Sequence, residues 1–332
     1  MRKTLSYLLK YVVPLLVTVL LCALLFRDVN LSEMIDIIRN ECHFGFIAAM
    51  LTVSVFSHIF RAMRWRIQLQ ALGIHAPLFP LVLSIFGTYA VNLVLPRLGE
   101  LWRTGYISKR QNAPFSEVFG SMVADRFADT LTVLLLAVTT FLLAAPKVSE
   151  YFSDPTTQHS VMYNVITSPW LWLGFAGIIT VIWWFLRRPS NNPIISKIQV
   201  FMKGLWQGFA VVAKMRGRRR WLLLTALIWG CYFFQMYLAF FAFDFTEEII
   251  DTQGIIAVLV AFVLSSMAMG VPSNGGIGPW QWAVIFALGM YGLSETSASA
   301  FANMVMGCNT LLVIVLGIFT FICIPLSNRK TK

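Results

Sequence analysis

Charge is scarce in this chain. Of its 332 residues, 12% are Asp, Glu, Lys or Arg, where an ordinary soluble domain carries roughly 25%. Hydrophobic residues make up 58%, and mean hydropathy is +0.73. These values exclude the soluble globular class. Enzyme signatures are missing too. There is no H-E-x-x-H, no G-x-S-x-G and no G-x-x-x-x-G-K-[ST] in the sequence, which removes the zinc-protease, nucleophile-elbow and phosphate-loop chemistries. The four histidines, His43, His58, His75 and His159, do not cluster. Five cysteines, Cys22, Cys42, Cys231, Cys308 and Cys323, show neither metal spacing nor a C-x-x-C pair, so they read as small apolar core residues. No metal and no cofactor is expected.

What is present is a series of long apolar runs. A helix crossing a bilayer needs about 20 mostly apolar residues. Runs 11–26, 44–60, 120–145, 170–186, 221–243 and 299–325 qualify, and 78–95, 254–272 and 279–292 are shorter or broken. The basic, apolar N-terminus resembles a signal peptide, but Arg27-Asp28 follows Phe26 where small residues would mark cleavage. It reads as an uncleaved first span. The sequence thus predicts a single all-α polytopic membrane domain over 1–332, with about six full spans. No nucleic acid partner is expected from the net charge of +11. The excess is concentrated in the polar connector 187–220, where nine Lys and Arg and no acid lie between two spans. Such residues mark the cytoplasmic side and meet anionic headgroups. Within that connector, Ile198, Phe201, Met202, Leu205, Phe209 and Val212 recur at helical spacing, as in a helix lying on the membrane surface.

The charge bias orients the spans. Arg2, Lys3 and Lys10 start inside, acidic 27–43 lies outside, and Arg61, Arg64 and Arg66 anchor the second span inside. Arg97, Arg103, Lys109 and Arg110 then follow the apolar run 78–95, so 78–103 dips in and returns on the same side. Span 117–145 exits, 170–186 returns, and 221–243 exits to the acids Asp244, Glu247, Glu248 and Asp251. Because Arg329, Lys330 and Lys332 belong inside, 254–292 enters from outside and returns there. Both termini are then cytoplasmic. Units 44–145 and 221–325 then read as inverted-repeat-like, each holding one broken, re-entrant hairpin, an arrangement found in secondary transporters with midplane sites; the alternative is that both apolar runs cross fully.

Three polar clusters interrupt the apolar runs. The first is Asn92, Pro96, Arg97, Gly99, Glu100 and Arg103. Pro96 frees a carbonyl and Gly99 permits unusual backbone angles. Arg97 and Arg103 carry planar forks that suit phosphate, and Glu100 can pair with either or carry a proton. The second is Asp125, Arg126 and Asp129, with the aspartates four apart on one helical face. It reads equally as a charge relay for the first cluster or as a structural ion pair. The third is Pro272, Ser273, Asn274, Gly275, Gly276, Gly278, Pro279 and Gln281. Three glycines and two prolines break the helix there and leave backbone amides free to face an anion. Substrate-binding candidates are therefore Asn92, Arg97, Glu100, Arg103, Asn274, Gly275, Gly276 and Gln281, with helix breaks at Pro96, Gly99, Pro272 and Gly278.

In this order and spacing, Asn92…Pro96-Arg97-x-Gly99-Glu100-x-x-Arg103, Asp125-Arg126-x-x-Asp129 and Pro272-x-x-Gly275-Gly276-Ile277-Gly278 resemble the transmembrane region of lysylphosphatidylglycerol synthases, the flippase-like domain family. The resemblance implies a lipid flippase of the bacterial inner membrane. Its partners would be membrane phospholipids or a lipid-linked substrate, with an envelope-biosynthesis protein as a further partner. No soluble aminoacyl-transfer domain precedes Lys332, so lysyl-lipid synthesis is not expected. The family often has Glu where this chain has Gln281, and Glu before Arg126 where this chain has Asp125. A neutral amide supplies no charge to a cationic headgroup. Two other readings stay open: a membrane enzyme acting on a lipid-linked sugar, with Glu100 or Asp125 as base, and a non-catalytic partner of a glycolipid-synthesis enzyme.

Overall fold

A computed structural model describes residues 31–153 and 217–329, with Met215 and positions 169, 173, 177 and 180 between them. The expected span 11–26, the surface helix within 187–220 and, apart from positions 173, 177 and 180, the expected span 170–186 lie outside the described residues. Among the described residues every regular element is a helix: α1 Leu31–Glu41, α2 Phe44–Ala71, α3 Leu78–Val94, α4 Leu98–Gln111, α5 Phe115–Ser153, α6 Arg218–Phe240, α7 Asp244–Gln253, α8 Ile255–Ala268, α9 Pro279–Gly289 and α10 Glu295–Arg329.

Four of these are long and apolar enough to cross a bilayer: α2, α5 through Ala145, α6, and α10 through Ile324. They correspond to expected spans 44–60, 120–145, 221–243 and 299–325. Rows of exposed Leu, Ile and Phe on α5 (Leu131, Leu134, Leu135, Val138) and α10 (Leu311, Ile314, Ile318, Ile322) form the apolar exterior. The structure adds two helices where the sequence reads as acidic outer loops. α1 and α7 are short amphipathic helices, and α7 meets α8 at 114°. Their apolar positions dock on the bundle while their acids stay outward; Ile249 is buried and Asp251 exposed.

The directions of the spans follow from pairs of contacts. His43 donates its backbone N–H to Ala242 O at 2.8 Å, and Arg64 stands over Trp221, so α2 and α6 run antiparallel along their full lengths. Arg64 pairs with Asp125 and Arg61 with Asp129, which makes α5 antiparallel to α2. Phe301 packs on Phe240 and Phe243, which sets the start of α10 beside the end of α6. Hence α2 and α10 run one way, and α5 and α6 the other.

Between the spans lie two hairpins with short arms, and α7 with α8 forms a bent pair long and apolar enough to count as a fifth, broken span. α3 has 17 residues, α4 and α8 have 14 each, and α9 has 11. At 1.5 Å per residue these arms reach about 25, 21, 21 and 16 Å, short of a hydrocarbon core about 30 Å thick. α3 packs on α4, and α8 on α9. The two hairpins enter from opposite ends of α10. Leu83 O accepts a hydrogen bond from Thr320, and a Cβ at Gly317 would lie 2.5 Å from Ala90 Cβ, so α3 climbs from the C-terminal end of α10. On the other side Gln281 meets Asn303, and a Cβ at Gly276 would lie 3.6 Å from Met306 Cε. The two tips therefore meet beside the middle of α10.

The buried apolar residues form two large bodies along α2, with a third small one of Ala128, Met215 and Trp221 against Ile67. Ile47 and Met50 join Phe240, Phe243, Val258 and Phe301 at one end. Ala62, Trp65 and Leu69 join Leu81, Ile85, Ile107 and Val118 at the other. The α2 segment between these bodies carries Ser54, Ser57, His58 and Arg61, all buried.

Candidate functional site

The tips are built by glycine and proline. α3 stops at Val94; Leu95 is extended (φ −127°, ψ 96°) and Arg97 is left-handed (φ 65°, ψ 0°). Asn92 closes this turn. Its Oδ1 accepts from Gly99 N at 2.8 Å and its Nδ2 donates to Glu100 Oε2 at 3.2 Å. Gly99 is obligatory for this fit, because a Cβ there would collide with Thr88 O. On the other hairpin α8 ends at Ala268, and Gly275, Gly276 and Gly278 all have positive φ before Pro279 opens α9. Such angles are open to glycine at little cost.

The tips touch directly. Gly275 N donates to Asn92 O at 3.1 Å, and Arg97 Nη2 donates to Gly270 O at 2.6 Å. A side chain on Gly275 would press on Leu93 Cδ2 at 2.5 Å. Two pieces of broken backbone thus satisfy each other at the height of the spans' middle, where lipid offers no partners.

Beside the first tip lies a buried ionic cluster. Asp125 and Asp129 project from one face of α5 into the arginines of α2. Arg64 Nη2 is 2.7 Å from both Asp125 Oδ1 and Asp129 Oδ1, and Arg61 Nη1 is 2.6 Å from Asp129 Oδ2. α6 contributes Tyr232, whose hydroxyl accepts from Arg61 Nη2 at 2.9 Å, and Thr225, which accepts from Arg64 at 3.3 Å. Arg61, Arg64, Arg103 and Asp125 are at most 3% exposed. Buried charges in a spanning bundle persist only when paired, and here three helices share the pairing.

One member is not so served. Arg103, on the second turn of α4, is fully buried, and its Nε, Nη1 and Nη2 all lack hydrogen-bond partners. Its charge rests over the Trp65 ring at 4.7 Å and 3.8 Å from Asp125 Oδ2. Trp65 is itself held by an Nε1–H bond to Ser121 Oγ at 3.0 Å. Arg126 approaches the same oxygen at 3.8 Å, and its Nε is also buried without a partner. Unmet buried donors on a cation cost several kcal/mol, which sets Arg103 and Arg126 apart from the paired arginines of α2.

The sequence candidates thus separate. Glu100, Arg103, Asp125, Arg126 and Asp129 come together, with Asn92 tying Glu100 to the tip. Arg97 does not join Arg103; it is exposed and turned to the opposite hairpin. Gln281 is buried as a cap: Oε1 accepts from Gly278 N at 2.8 Å and Nε2 donates to Asn303 Oδ1 at 2.5 Å. Asn274 Oδ1 is buried with no donor. Arg61 and Arg64, which the charge bias reads as interfacial anchors, are central buried partners instead. Their i, i+3 spacing mirrors the i, i+4 aspartates of α5, and that complementarity was the available signal.

Spans, paired broken hairpins and a buried ionic cluster define a multi-pass helical membrane protein with a polar interior. The sequence comparisons then identify the family. The lysylphosphatidylglycerol synthase TM region matches residues 11–317, and the chain belongs to that family. A 127-residue stretch is 33% identical to glycosyltransferase AglD of Haloferax volcanii, covering 38% of this chain. The chain spans about a fifth of the length of that relative, 20%. No solved structure matches.

Proposed function

We propose that this protein carries a lipid with a phosphate-bearing headgroup between the leaflets of a cell inner membrane, its termini cytoplasmic. The observation that carries this reading is Arg103, a fully buried guanidinium with no hydrogen bonds beside a broken-helix tip. A charged headgroup costs several kcal/mol to bury unassisted. Arg103 and Arg126 offer donors to the phosphate, Glu100, Asp125 and Asp129 balance them, and the acyl chains stay in the bilayer. The opposed span directions and the tip-to-tip contact support inverted units that expose the site to each face in turn. A headgroup hydroxyl donating to Asn274 Oδ1, with the Gly276 amide of the second tip, would complete the path. Leaflet-resolved transport of fluorescent phospholipids in proteoliposomes tests this. Transport is expected with wild-type protein and should fall at least tenfold with Arg103→Ala; equal rates would refute the assignment.

The likeness to AglD favours a second reading, in which the chain serves a glycolipid pathway as membrane partner or enzyme on a lipid-linked sugar. Product formed by purified protein in detergent, where no leaflets exist, would favour the enzyme.

A further inference from the structure

Resting on the transport reading, we infer that the site selects headgroups of net negative charge and rejects aminoacylated, amine-bearing ones. The charge inventory of the cluster carries this. Four guanidinium groups, Arg61, Arg64, Arg103 and Arg126, face the carboxylates of Asp125 and Asp129 at up to 3.9 Å. Glu100 is the third carboxylate, within electrostatic reach of Arg103 and Arg126. One positive charge is left over.

The carboxylates of the cluster are already faced by cations or engaged in hydrogen bonds. Asp129 spends Oδ2 on Arg61 and Oδ1 on Arg64. Asp125 gives Oδ1 to Arg64, and its Oδ2 sits 3.6 to 3.8 Å from Arg61, Arg103 and Arg126. Glu100 accepts from Asn92. At the second tip, Gln281 is neutral and spent on Gly278 and Asn303. Donors outnumber acceptors among the cluster's unmet groups: all three nitrogens of Arg103 and Nε of Arg126, against Asp125 Oδ2, which three guanidinium groups already surround. A guanidinium carries five N–H donors in a fork that matches phosphate oxygens. The complement of this inventory is a phosphate oxyanion with no cation beside it. A lysyl headgroup would bring its ammonium among arginines, where like charges at close range are repelled strongly in a low dielectric.

Binding to the purified full chain in detergent is the test, using phosphatidic acid, phosphatidylglycerol, lysyl-phosphatidylglycerol and inorganic phosphate as separate ligands. Quenching of tryptophan fluorescence or native mass spectrometry reads the occupancy. The two anionic lipids are expected to bind at least tenfold more tightly than the lysyl lipid. Arg103→Lys, which keeps the charge but not the fork, should lose most of that affinity while remaining folded. Arg126→Glu, at the more open rim, should narrow the preference or reverse it. Equal affinity for phosphatidylglycerol and its lysyl form overturns the inference, as does an unchanged ratio in Arg126→Glu. Binding of inorganic phosphate without either anionic lipid also overturns it. The same lipids run in proteoliposomes separate the two claims. Equal transport of both classes sinks the selectivity and leaves transport standing, whereas selective binding without transport does the reverse.

Discussion

Gly99 shows how little freedom single residues have at the tips. A Cβ there meets the Thr88 carbonyl, which is backbone and cannot rotate away, and lies 2.8 Å from Asn92 Oδ1. Gly105, one and a half turns further along α4, has nothing within 4 Å. Gly99→Ala is therefore expected to destabilise by about 1–3 kcal/mol through overpacking. Gly105→Ala should be neutral, or stabilising by about 0.5–1 kcal/mol, because it removes chain entropy from a helix interior. Melting temperatures in detergent, followed by tryptophan fluorescence, should rank the two in that order. Arg97 offers a second comparison. It is left-handed at φ 65° and bonded to Gly270 O. Arg97→Ala and Arg97→Gly both lose that bond, but only glycine escapes a backbone cost of about 1–2 kcal/mol. The glycine variant should melt above the alanine variant. At this scale Pro96, Pro272 and Gly278 fall between helices, while Gly99 lies inside α4 and serves close packing rather than a break. The sequence assigned Arg61, Arg64 and Gln281 poorly, since what a polar side chain touches depends on helices distant in the chain.

Among the helices, the ionic cluster is the main polar tie between α2, α5 and α6. Each aspartate holds two arginines, so removing one acid strands cations in a protein interior. Breaking a buried pair from one side typically costs about 3–5 kcal/mol, and Asp129→Asn is expected to fall in that range. The double variant Arg61→Gln/Asp129→Asn restores the original charge balance and should recover a clear part of the loss. A double-mutant cycle on thermal stability measures it; strictly additive losses would mean that the two side chains do not act together. The long spans α2, α5, α6 and α10 were legible because about 20 consecutive apolar residues have few other uses. α1 and α7 were not. Ten or eleven residues with four acids, as in α7, carry too little periodicity to distinguish a docked amphipathic helix from a loop. Their helicity depends on the apolar surface beneath them.

For the molecule as a whole, packing repeats itself with the two halves exchanged. α2 packs on α6, the first helix of one unit on the first of the other. The opening arm of each hairpin packs on the last span of the opposite unit, α3 on α10 and α8 on α5. With the span directions opposed as well, Asn112, after the first hairpin, and Ser294, after the second, must lie at opposite ends of the bundle. Both are exposed. In intact cells a membrane-impermeant maleimide should label Ser294→Cys at once, and Asn112→Cys only after permeabilisation. Labelling of both from one side would mean that a hairpin crosses fully, and the exchange of halves would fail. Cys42, beside Phe243 at the same end as Ser294, supplies a native reference. Burial, and next the neighbouring Cys308, push its thiol up to about 11. A raised thiol pKa means less thiolate at every pH below it, and the thiolate is the nucleophile. Labelling of Cys42 should therefore be slow at pH 7 and climb roughly tenfold per pH unit toward pH 9. The engineered Ser294→Cys, exposed in a loop, should already react fast at pH 7, so pH alone separates the two thiols on one face.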